Sequence, residues 1–228
     1  FTYTVIDSAG NESSSASPAL VVTVDATSPT QPATPDLITG TDSGVSDSDD
    51  ITKSSDIGFS VASLVVGDRL YLKADDASLD DYVVIETTTD TINIGDAVSA
   101  AYTAYSMDAA GNESATSSSL TVTVDTEAPD LTNVVIDLAS GSDSGTKDDD
   151  DLTNDYTPEF IVSNLNVTDS VHLYVEGDHN KSLEVTSTTM SITTDSLREN
   201  SNEISIFASA LAGNLSIVSD KTLTIRVD

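Results

Sequence analysis

A segment that returns along the chain at a constant interval restricts the possible fold more than any other feature. The segment DSAGNES at residues 7–13 recurs as DAAGNES at residues 108–114, an offset of 108 − 7 = 101 residues. A weaker copy, ALAGNLS, follows at residues 210–216, and its Gly213 lies 213 − 111 = 102 residues beyond Gly111. A period of about 100 residues is too long for solenoid repeats and matches one immunoglobulin-type sandwich. The sequence therefore predicts an all-β chain of tandem immunoglobulin-like β-sandwich modules in an extended array.

The repeat also predicts the division of the chain into domains. Residues 26–125 and 126–228 should each form one sandwich, and residues 1–25 should be the C-terminal two strands of a preceding module. An isolated pair of strands is marginal in water, so residues 1–25 need the rest of that module. Pro29 and Pro129 follow the ends of modules and should make the short linkers stiff.

Within each period, apolar and polar residues alternate with the period-2 pattern of half-buried strands. Seven strands are expected in the first complete module, at residues 37–39, 57–62, 69–74, 82–86, 91–94, 100–107 and 119–124. Seven are expected in the second, at residues 134–138, 159–162, 170–175, 182–185, 190–193, 202–208 and 222–227.

The charge of the chain limits its partners. Lys and Arg total 8 against 39 Asp and Glu, for a formal net charge of −31. Such a chain repels nucleic acid and anionic membranes, and no apolar stretch is long enough for membrane insertion. Clustered carboxylates attract divalent cations instead, so Ca²⁺ is the expected cofactor. The absence of cysteine excludes disulfides and thiolate zinc sites, and bound metal is another way to stabilise such modules.

Two loops between the first and second predicted strands are rich in aspartate. They span residues 42–50 and 143–151 and mix short carboxylates with Ser, Thr and Gly. Such loops can aim several oxygens at one centre, as Ca²⁺ requires, although their spacing is not that of an EF-hand. A solvated acidic loop is the alternative interpretation. The expected ligands are Asp42, Asp47, Asp49, Asp50, Asp143, Asp148 and Asp150.

Further oxygen ligands are expected where one module meets the next. In an immunoglobulin sandwich the loop between the last two strands lies at the same pole as the N-terminus. Asp108, Asn112 and Glu113 should therefore face Asp25. The same segment is also a plain hairpin turn, in which Gly111 and Asn112 supply positive φ angles. Both interpretations can hold together.

At the opposite pole, Asp125 should lie near the acidic loop that begins at Asp42, so that oxygens of two modules converge. In the third copy of the turn, Ala210 replaces the aspartate and Leu215 replaces the glutamate. The turn is kept there while the expected ligands are lost.

Catalysis has little support in the sequence, and no enzymatic activity is expected. Only two histidines occur, His172 in a predicted strand and His179 in a predicted turn, and no cysteine is present. Carboxylates in exposed loops lack the separated pKa values that acid–base chemistry requires.

Two consecutive segments of the first complete module carry a family resemblance. The run YTAYSMDAAGNES from Tyr102, followed by LTVTVDTEAP from Leu120, resembles the bacterial Ig-like (BIg-type) tandem repeats of giant secreted RTX/type I-secreted adhesins. The resemblance covers both full modules, and the loops at Asp42 and Asp143 look like the first loop of those repeats. It implies extender regions that calcium rigidifies at and near the junctions. The second module departs from the pattern at Ala210 and in its final strand.

We therefore expect a calcium-rigidified extender, or stalk, segment of a bacterial surface adhesin that supports cell adhesion or biofilm formation outside the cell. Its partners would be neighbouring Ig-like modules, with host or biofilm surface ligands bound through other regions. One alternative is a ligand-binding module for sugar or protein, whose sign would be exposed aromatic residues. Candidates such as Tyr71, Tyr82 and Tyr156 are few and are scattered along the sequence. A second alternative is an accessory module of a secreted polysaccharide-acting enzyme.

Overall fold

The computed structural model describes residues 1–15, 20–147, 149–216 and 221–228. Its secondary structure in these residues consists of sixteen β-strands without a helix, so no described helix could cross a membrane. The strands form two β-sandwiches, each with one three-stranded and one five-stranded sheet. The predicted fold class is confirmed.

The first sandwich contains eight strands. In chain order they are β1 (Asp36–Leu37), β2 (Ile51–Thr52), β3 (Ile57–Ala62), β4 (Arg69–Ala74), β5 (Ala77–Val84), β6 (Thr89–Ile94), β7 (Ala100–Met107) and β8 (Leu120–Val124). One sheet has the order β1-β3-β6 and the other the order β2-β8-β7-β4-β5. All pairs are antiparallel except β2 with β8, which is parallel.

The second sandwich repeats this arrangement strand for strand. Its elements are β9 (Val135–Leu138), β10 (Leu152–Thr153), β11 (Glu159–Ser163), β12 (Ser170–Val175), β13 (Asp178–Glu184), β14 (Thr189–Thr193), β15 (Asn200–Ser209) and β16 (Thr222–Val227). The sheets have the orders β14-β11-β9 and β10-β16-β15-β12-β13, again with one parallel pair, β10 with β16.

Two features of the sandwiches differ from the strands predicted by alternation. The two-residue strands β2 and β10 are additional, because a strand so short carries no periodicity. In addition, β5 and β13 begin several residues before the predicted starts at 82 and 182. Two-residue turns cause this early start, since Asp75 and Asp76, like Glu176 and Gly177, have positive φ angles. Such turns return the chain directly onto the preceding strand.

Each sandwich encloses its own apolar core. In the first, Phe59 and Tyr102 are almost completely buried, and their ring centroids are 4.8 Å apart. In the second, Phe160 packs with aliphatic residues such as Leu173 and Ile206. Aliphatic side chains from facing sheets supply most of the remaining buried surface, which is the main favourable contribution to folding.

Residues 1–15 and 20–25 form a turn with flanking extended chain but no assigned strand. An isolated bridge joins Ile6 to Glu12, in the same relation as the bridge between Met107 and Glu113. Large apolar side chains are exposed here, for example Phe1 at 85% and Val21 at 84%. That residues 1–25 belong to a preceding module stays a prediction.

Candidate functional site

The two sandwiches meet where the turn at residues 210–214 contacts the loop at residues 42–53, a contact called here the junction. Three consecutive backbone carbonyls of the turn accept hydrogen bonds from the first sandwich. Val45 N donates to the oxygen of Leu211 (3.1 Å). Ser43 Oγ donates to Ala212 (3.1 Å) and Lys53 Nζ donates to Gly213 (3.2 Å). The orientation of the second sandwich is therefore fixed by direct polar contacts.

Two glycines allow the junction to close. Gly44 has a φ of +134° and Gly213 a φ of +84°, both values that residues with a Cβ rarely adopt. A Cβ on Gly44 would lie 2.1 Å from the backbone oxygen of Leu211, and one on Gly213 would lie 2.9 Å from the Cα of Gly44. The two backbones approach so closely that neither position has room for a side chain.

In each sandwich, an asparagine in the turn between the last two strands donates a hydrogen bond to the end of the preceding segment. Asn214 Nδ2 donates to the carbonyl oxygen of Asp125 at 2.7 Å. At the other pole of the first sandwich, Asn112 Nδ2 donates to the carbonyl oxygen of Asp25 at 3.3 Å. The approach of Asn112 to Asp25 agrees with the expected topology. At both poles the asparagine side chain donates to a backbone carbonyl at the start of the linker.

Asp108 organises its own turn. Its carboxylate accepts hydrogen bonds from Ala110 N (2.9 Å) and from Asn112 N and Nδ2 (2.9 and 2.8 Å). The Asn112 side chain is the largest cause of a lowered pKa of Asp108. Glu113 is exposed in the bridge to Met107. The hairpin-turn interpretation therefore describes this segment, although Gly111 has a positive φ and Asn112 does not. Calcium binding by Asp25, Asp108, Asn112 or Glu113 stays a prediction.

Asp125 lies beside the loop that begins at Asp42, as expected. Its backbone N donates to the oxygen of Thr52 at 2.8 Å, and its carboxylate accepts from Glu127 N at 3.0 Å. Across the junction is Asp169, which is only 7% exposed. Burial raises the pKa of Asp169, and the negative charge of Asp125 raises it further. The charge of a carboxylate in one sandwich thus acts on a carboxylate of the other.

The acidic loops each place one aspartate inside the fold. Asp42 is 5% exposed and Asp143 is 7% exposed, and in both residues Oδ1 is buried without a hydrogen-bond partner. Their Oδ2 atoms accept long hydrogen bonds, from Asp50 N at 3.3 Å and Asp151 N at 3.4 Å. An unpartnered buried carboxylate oxygen is costly, so its presence at equivalent positions of both sandwiches needs an explanation.

A second aspartate of each loop increases the local negative charge. Asp50 and Asp151 have positive φ angles of 60° and 58°, which turn the chain into strands β2 and β10. Burial raises the pKa of Asp50, and Asp42 and Asp36 raise it further. Burial likewise raises the pKa of Asp151, and the negative charge of Asp137 raises it further.

The other predicted ligands lie at the loop surfaces. Asp47, Asp49 and Asp150 are exposed, and Asp49 accepts a hydrogen bond from Ile51 N at 3.2 Å. Asp148 lies outside the described residues. Nowhere in residues 1–15, 20–147, 149–216 and 221–228 are three acidic or histidine side chains already arranged to hold a metal ion. Ion binding in these loops would therefore need carboxylates to reorient or backbone carbonyls to contribute.

Four carboxylates at these sites were missed by sequence reasoning. Asp36 and Asp137 approach the loops from strands β1 and β9, Asp151 is the true counterpart of Asp50, and Asp169 faces Asp125. The repeat interval could have found two of them, because 36 + 101 = 137 and 50 + 101 = 151. The prediction included Asp150, the counterpart of Asp49 (49 + 101 = 150), and left out Asp151.

These raised pKa values predict an unusual response of calcium-free protein to acid. In Asp42, Asp50, Asp151 and Asp169 the folded-state pKa lies above the ordinary 3.8, so the folded chain takes up protons before the unfolded chain does. Stability should rise as the pH falls from 7 through the raised values, and the gain should end near 3.8. Below that pH, carboxyls with a lowered pKa, such as Asp108, lose their contribution.

Urea unfolding in chelator between pH 7 and pH 3 measures this dependence. The variant carrying Asp50→Asn and Asp151→Asn should show a flatter rise than the parent chain. A stability that falls steadily from pH 7 to pH 4 in the parent chain would contradict the assignment.

The histidines lie outside the junction and contact serine hydroxyls. His172 Nδ1 and His179 Nε2 are each 2.7 Å from Ser182 Oγ, and His172 Nε2 is 2.9 Å from Ser209 Oγ. His172 is half-buried, and burial is the main cause of its lowered pKa. Immunoglobulin-like domains are typically non-catalytic modules.

Solved structures that are similar to this chain share little sequence identity with it. The Clostridium thermocellum CbhA fibronectin(III)-like modules match with 14% identity and a TM-score of 0.46, covering 78% of this chain and 87% of theirs. The human OSCAR ligand-binding domain matches with 14% identity and a TM-score of 0.37, covering 84% and 98%. A biofilm associated protein, in its BSP domain, matches with 15% identity and a TM-score of 0.31, covering 86% of this chain and 30% of that one. No curated protein matches the sequence.

One family description matches part of the chain. It is the Bacterial Ig-like domain, and it covers residues 130–228. That span includes all eight strands of the second sandwich, which the first sandwich repeats in order and pairing. The protein is thus built of immunoglobulin-like β-sandwiches, and its second sandwich matches the family of bacterial Ig-like domains.

Proposed function

We propose that this chain is a rigid extender segment of a bacterial surface adhesin, located outside the cell, whose function is to set length and direction between other parts. The observation that carries the proposal is the junction, where donors of one sandwich bind three consecutive carbonyls of the next. The Bacterial Ig-like domain match and the biofilm associated neighbour support a surface or secreted adhesin-type module.

The junction restrains rotation as well as separation. Its hydrogen bonds start from the loop at Ser43 and Val45, from Lys53, and from Asn214 on the other side, so they are not collinear. A hinge with one contact can rotate about that contact, whereas several bonds in different directions oppose every rotation. The short linker after Asp125, with Pro129, adds to this restraint.

Calcium is the second part of the proposal. The buried Oδ1 atoms of Asp42 and Asp143 lack partners, and each lies among further carboxylates. An ion with oxygen ligands would satisfy these atoms and neutralise the charge that opposes compact loops. Because the loop after Asp42 also carries Ser43 and Gly44, ordering it would stiffen the junction. Asp42, Asp50 and Asp36 are the proposed ligands in the first sandwich, and Asp143, Asp151 and Asp137 in the second.

Distances between spin labels on the two sandwiches test the extender function. The sequence has no cysteine, so Ser78→Cys and Ser187→Cys, both at exposed positions, give two unique attachment sites. The expected result is a single narrow distance distribution with calcium and a broader one with chelator. Asp42→Asn should reduce the effect of calcium by removing a proposed ligand from the loop that carries Ser43 and Gly44.

The outcomes separate the two parts of the proposal. A broad distribution under all conditions would contradict the rigid extender. A narrow distribution that chelator leaves unchanged would contradict the role of calcium while supporting direct contact as the source of rigidity.

A further inference from the structure

The outer face of the five-stranded sheet in the first sandwich carries stacked tyrosines, called here the tyrosine face. Tyr71 on β4 lies between Tyr82 on β5 and Tyr105 on β7. Its ring centroid is 5.3 Å from that of Tyr82 and 5.0 Å from that of Tyr105, and the latter pair is stacked. Residues that are distant in sequence are thus adjacent, and the scattered distribution read from the sequence does not describe the folded chain.

The second sandwich has aromatic rings on the same three strands. His172 takes the register position of Tyr71 and Phe207 that of Tyr105. Tyr174 lies 4.9 Å from Phe207 and 5.4 Å from His179, measured between ring centroids. The side chains differ between the sandwiches, yet both place aromatic rings on this face.

This concentration is unusual for a chain with few aromatic residues. The sequence has 7 Tyr, 4 Phe and no Trp. Five of these 11 rings lie on the two outer faces, namely Tyr71, Tyr82, Tyr105, Tyr174 and Phe207. Cross-strand aromatic pairs do stabilise sheets, but that role needs no exposure. Tyr82 lies on the edge strand of its sheet and remains 47% exposed, whereas Tyr105 is 7% exposed and forms the inner end of the face.

Two cations lie over rings of the tyrosine face. The Arg69 guanidinium lies 5.0 Å from the Tyr82 ring centroid, and Lys73 Nζ lies 4.8 Å from that of Tyr105. Neither forms an ion pair with a carboxylate in the described part of the chain, although the sequence has 39 acidic residues. Both cations therefore keep hydrogen-bond donors available beside the rings.

Charge selects the class of ligand that fits this face. A net charge of −31 opposes the approach of an acidic polymer. A cationic partner would be repelled locally by Arg69 and Lys73 and attracted to the acidic loops instead. A neutral ligand escapes both effects. Flat rings with phenol hydroxyls and cationic donors at their borders suit a ligand that presents apolar C–H faces and many hydroxyls.

We propose that the tyrosine face and its counterpart in the second sandwich bind neutral polysaccharide chains. Sugar rings would pack on Tyr71 and Tyr82, and their hydroxyls would accept hydrogen bonds from Arg69 and Lys73. This function is independent of the junction. Because the face occurs once in each sandwich, a long polymer that contacts both would bind more tightly than a short one.

Electrophoresis in native gels that contain a soluble polysaccharide tests the proposal, because binding slows migration. The gels hold β-glucan, mannan or galactomannan as neutral probes and polygalacturonate as the acidic probe, all with chelator to prevent calcium bridging. We expect at least one neutral polymer to retard the chain and polygalacturonate not to do so.

The variants copy the second sandwich, which keeps the fold and the net charge. Tyr71→His and Tyr82→Ser introduce the residues found at the equivalent positions, His172 and Ser182. Losing one ring and exchanging another for the smaller imidazole should weaken retardation about tenfold in apparent dissociation constant. Adding Tyr174→Ala should remove the remainder. Tyr156→Ala, at an exposed tyrosine outside this face, should have no effect.

Each remaining outcome overturns the proposal. Retardation by none of the neutral polymers would leave the rings with a structural role only. Retardation that the double variant does not change would place binding elsewhere, and stronger retardation by polygalacturonate would contradict the neutral ligand. Thermal melting of each variant verifies that it is folded.

Discussion

The valine of a Gly44→Val variant should uncouple the two sandwiches without unfolding either of them. Its Cβ would meet the Leu211 oxygen at 2.1 Å, and a φ of +134° is strained for any residue with a side chain. The turn would have to move away, which breaks the hydrogen bonds from Ser43, Val45 and Lys53. Exposed hydrogen bonds contribute about 0.5 kcal/mol or more each, so the docked arrangement should lose roughly 1.5 kcal/mol or more.

The spin-label distances described above measure this loss as a broader distribution. Gly145→Val is the matched control, because Gly145 lies 145 − 44 = 101 residues further and has no contact closer than 3.7 Å. Gly213→Ala changes the other side of the contact and should also broaden the distribution. If Gly44→Val and Gly145→Val gave the same narrow distribution, direct contact at the junction would not be the source of rigidity.

Calcium should raise the melting temperature of the chain, and magnesium should raise it much less. Magnesium releases its waters reluctantly, whereas flexible aspartate loops suit the larger ion. A ligand at a hundred times its dissociation constant stabilises a fold by about 2.7 kcal/mol. For one module of this size that corresponds to an increase of about 10–20 °C.

The effects of Asp42→Asn and Asp143→Asn on the melting temperature should have opposite signs in chelator and in calcium. In chelator each variant should melt higher than the parent chain, because it removes a buried carboxylate whose Oδ1 has no partner. With calcium each should melt lower, because a proposed ligand is lost. Asp96→Asn, at an exposed loop position outside both acidic loops, should change neither temperature by more than about 1 °C. Identical melting in calcium and chelator would contradict calcium binding.

The sequence predicted the strands that alternate over several residues and missed those fixed by other physics. β4, β7 and β12 are long enough for a period of two to be visible, and their predicted bounds were correct. β2 and β10 have only two residues each, and they exist because Asp50 and Asp151 turn the chain alongside the last strand of each sandwich. Such pairing depends on tertiary contacts that no local pattern records.

The candidate sites also contain features that the sequence predicts and features that depend on tertiary contacts. Asp42 and Asp143 could be found because acidic loops are visible in composition, and the repeat interval reaches Asp137 and Asp151 as well. The contact between Gly44 and Gly213 could not be predicted from the sequence. The two residues are 213 − 44 = 169 positions apart, and they meet only because the two sandwiches have a particular relative orientation. Calcium binding and the position of residues 1–25 in a preceding module stay predictions.

The parallel pairing of β2 with β8 determines how tension along the chain would act on a sandwich. β2 belongs to the N-terminal part of its sandwich and β8 to the C-terminal end, so opposite pulls act along two strands that run in the same direction. The load is then a shear across the pair. The bonds from Thr123 N to Asp50 O (2.9 Å) and from Asp125 N to Thr52 O (2.8 Å) are strained together instead of opening one after the other. The second sandwich repeats this geometry with Arg226 N to Asp151 O (3.0 Å) and Asp228 N to Thr153 O (2.9 Å). In each sandwich, one short strand without visible periodicity thereby forms a parallel pair that resists tension between the two ends of the sandwich.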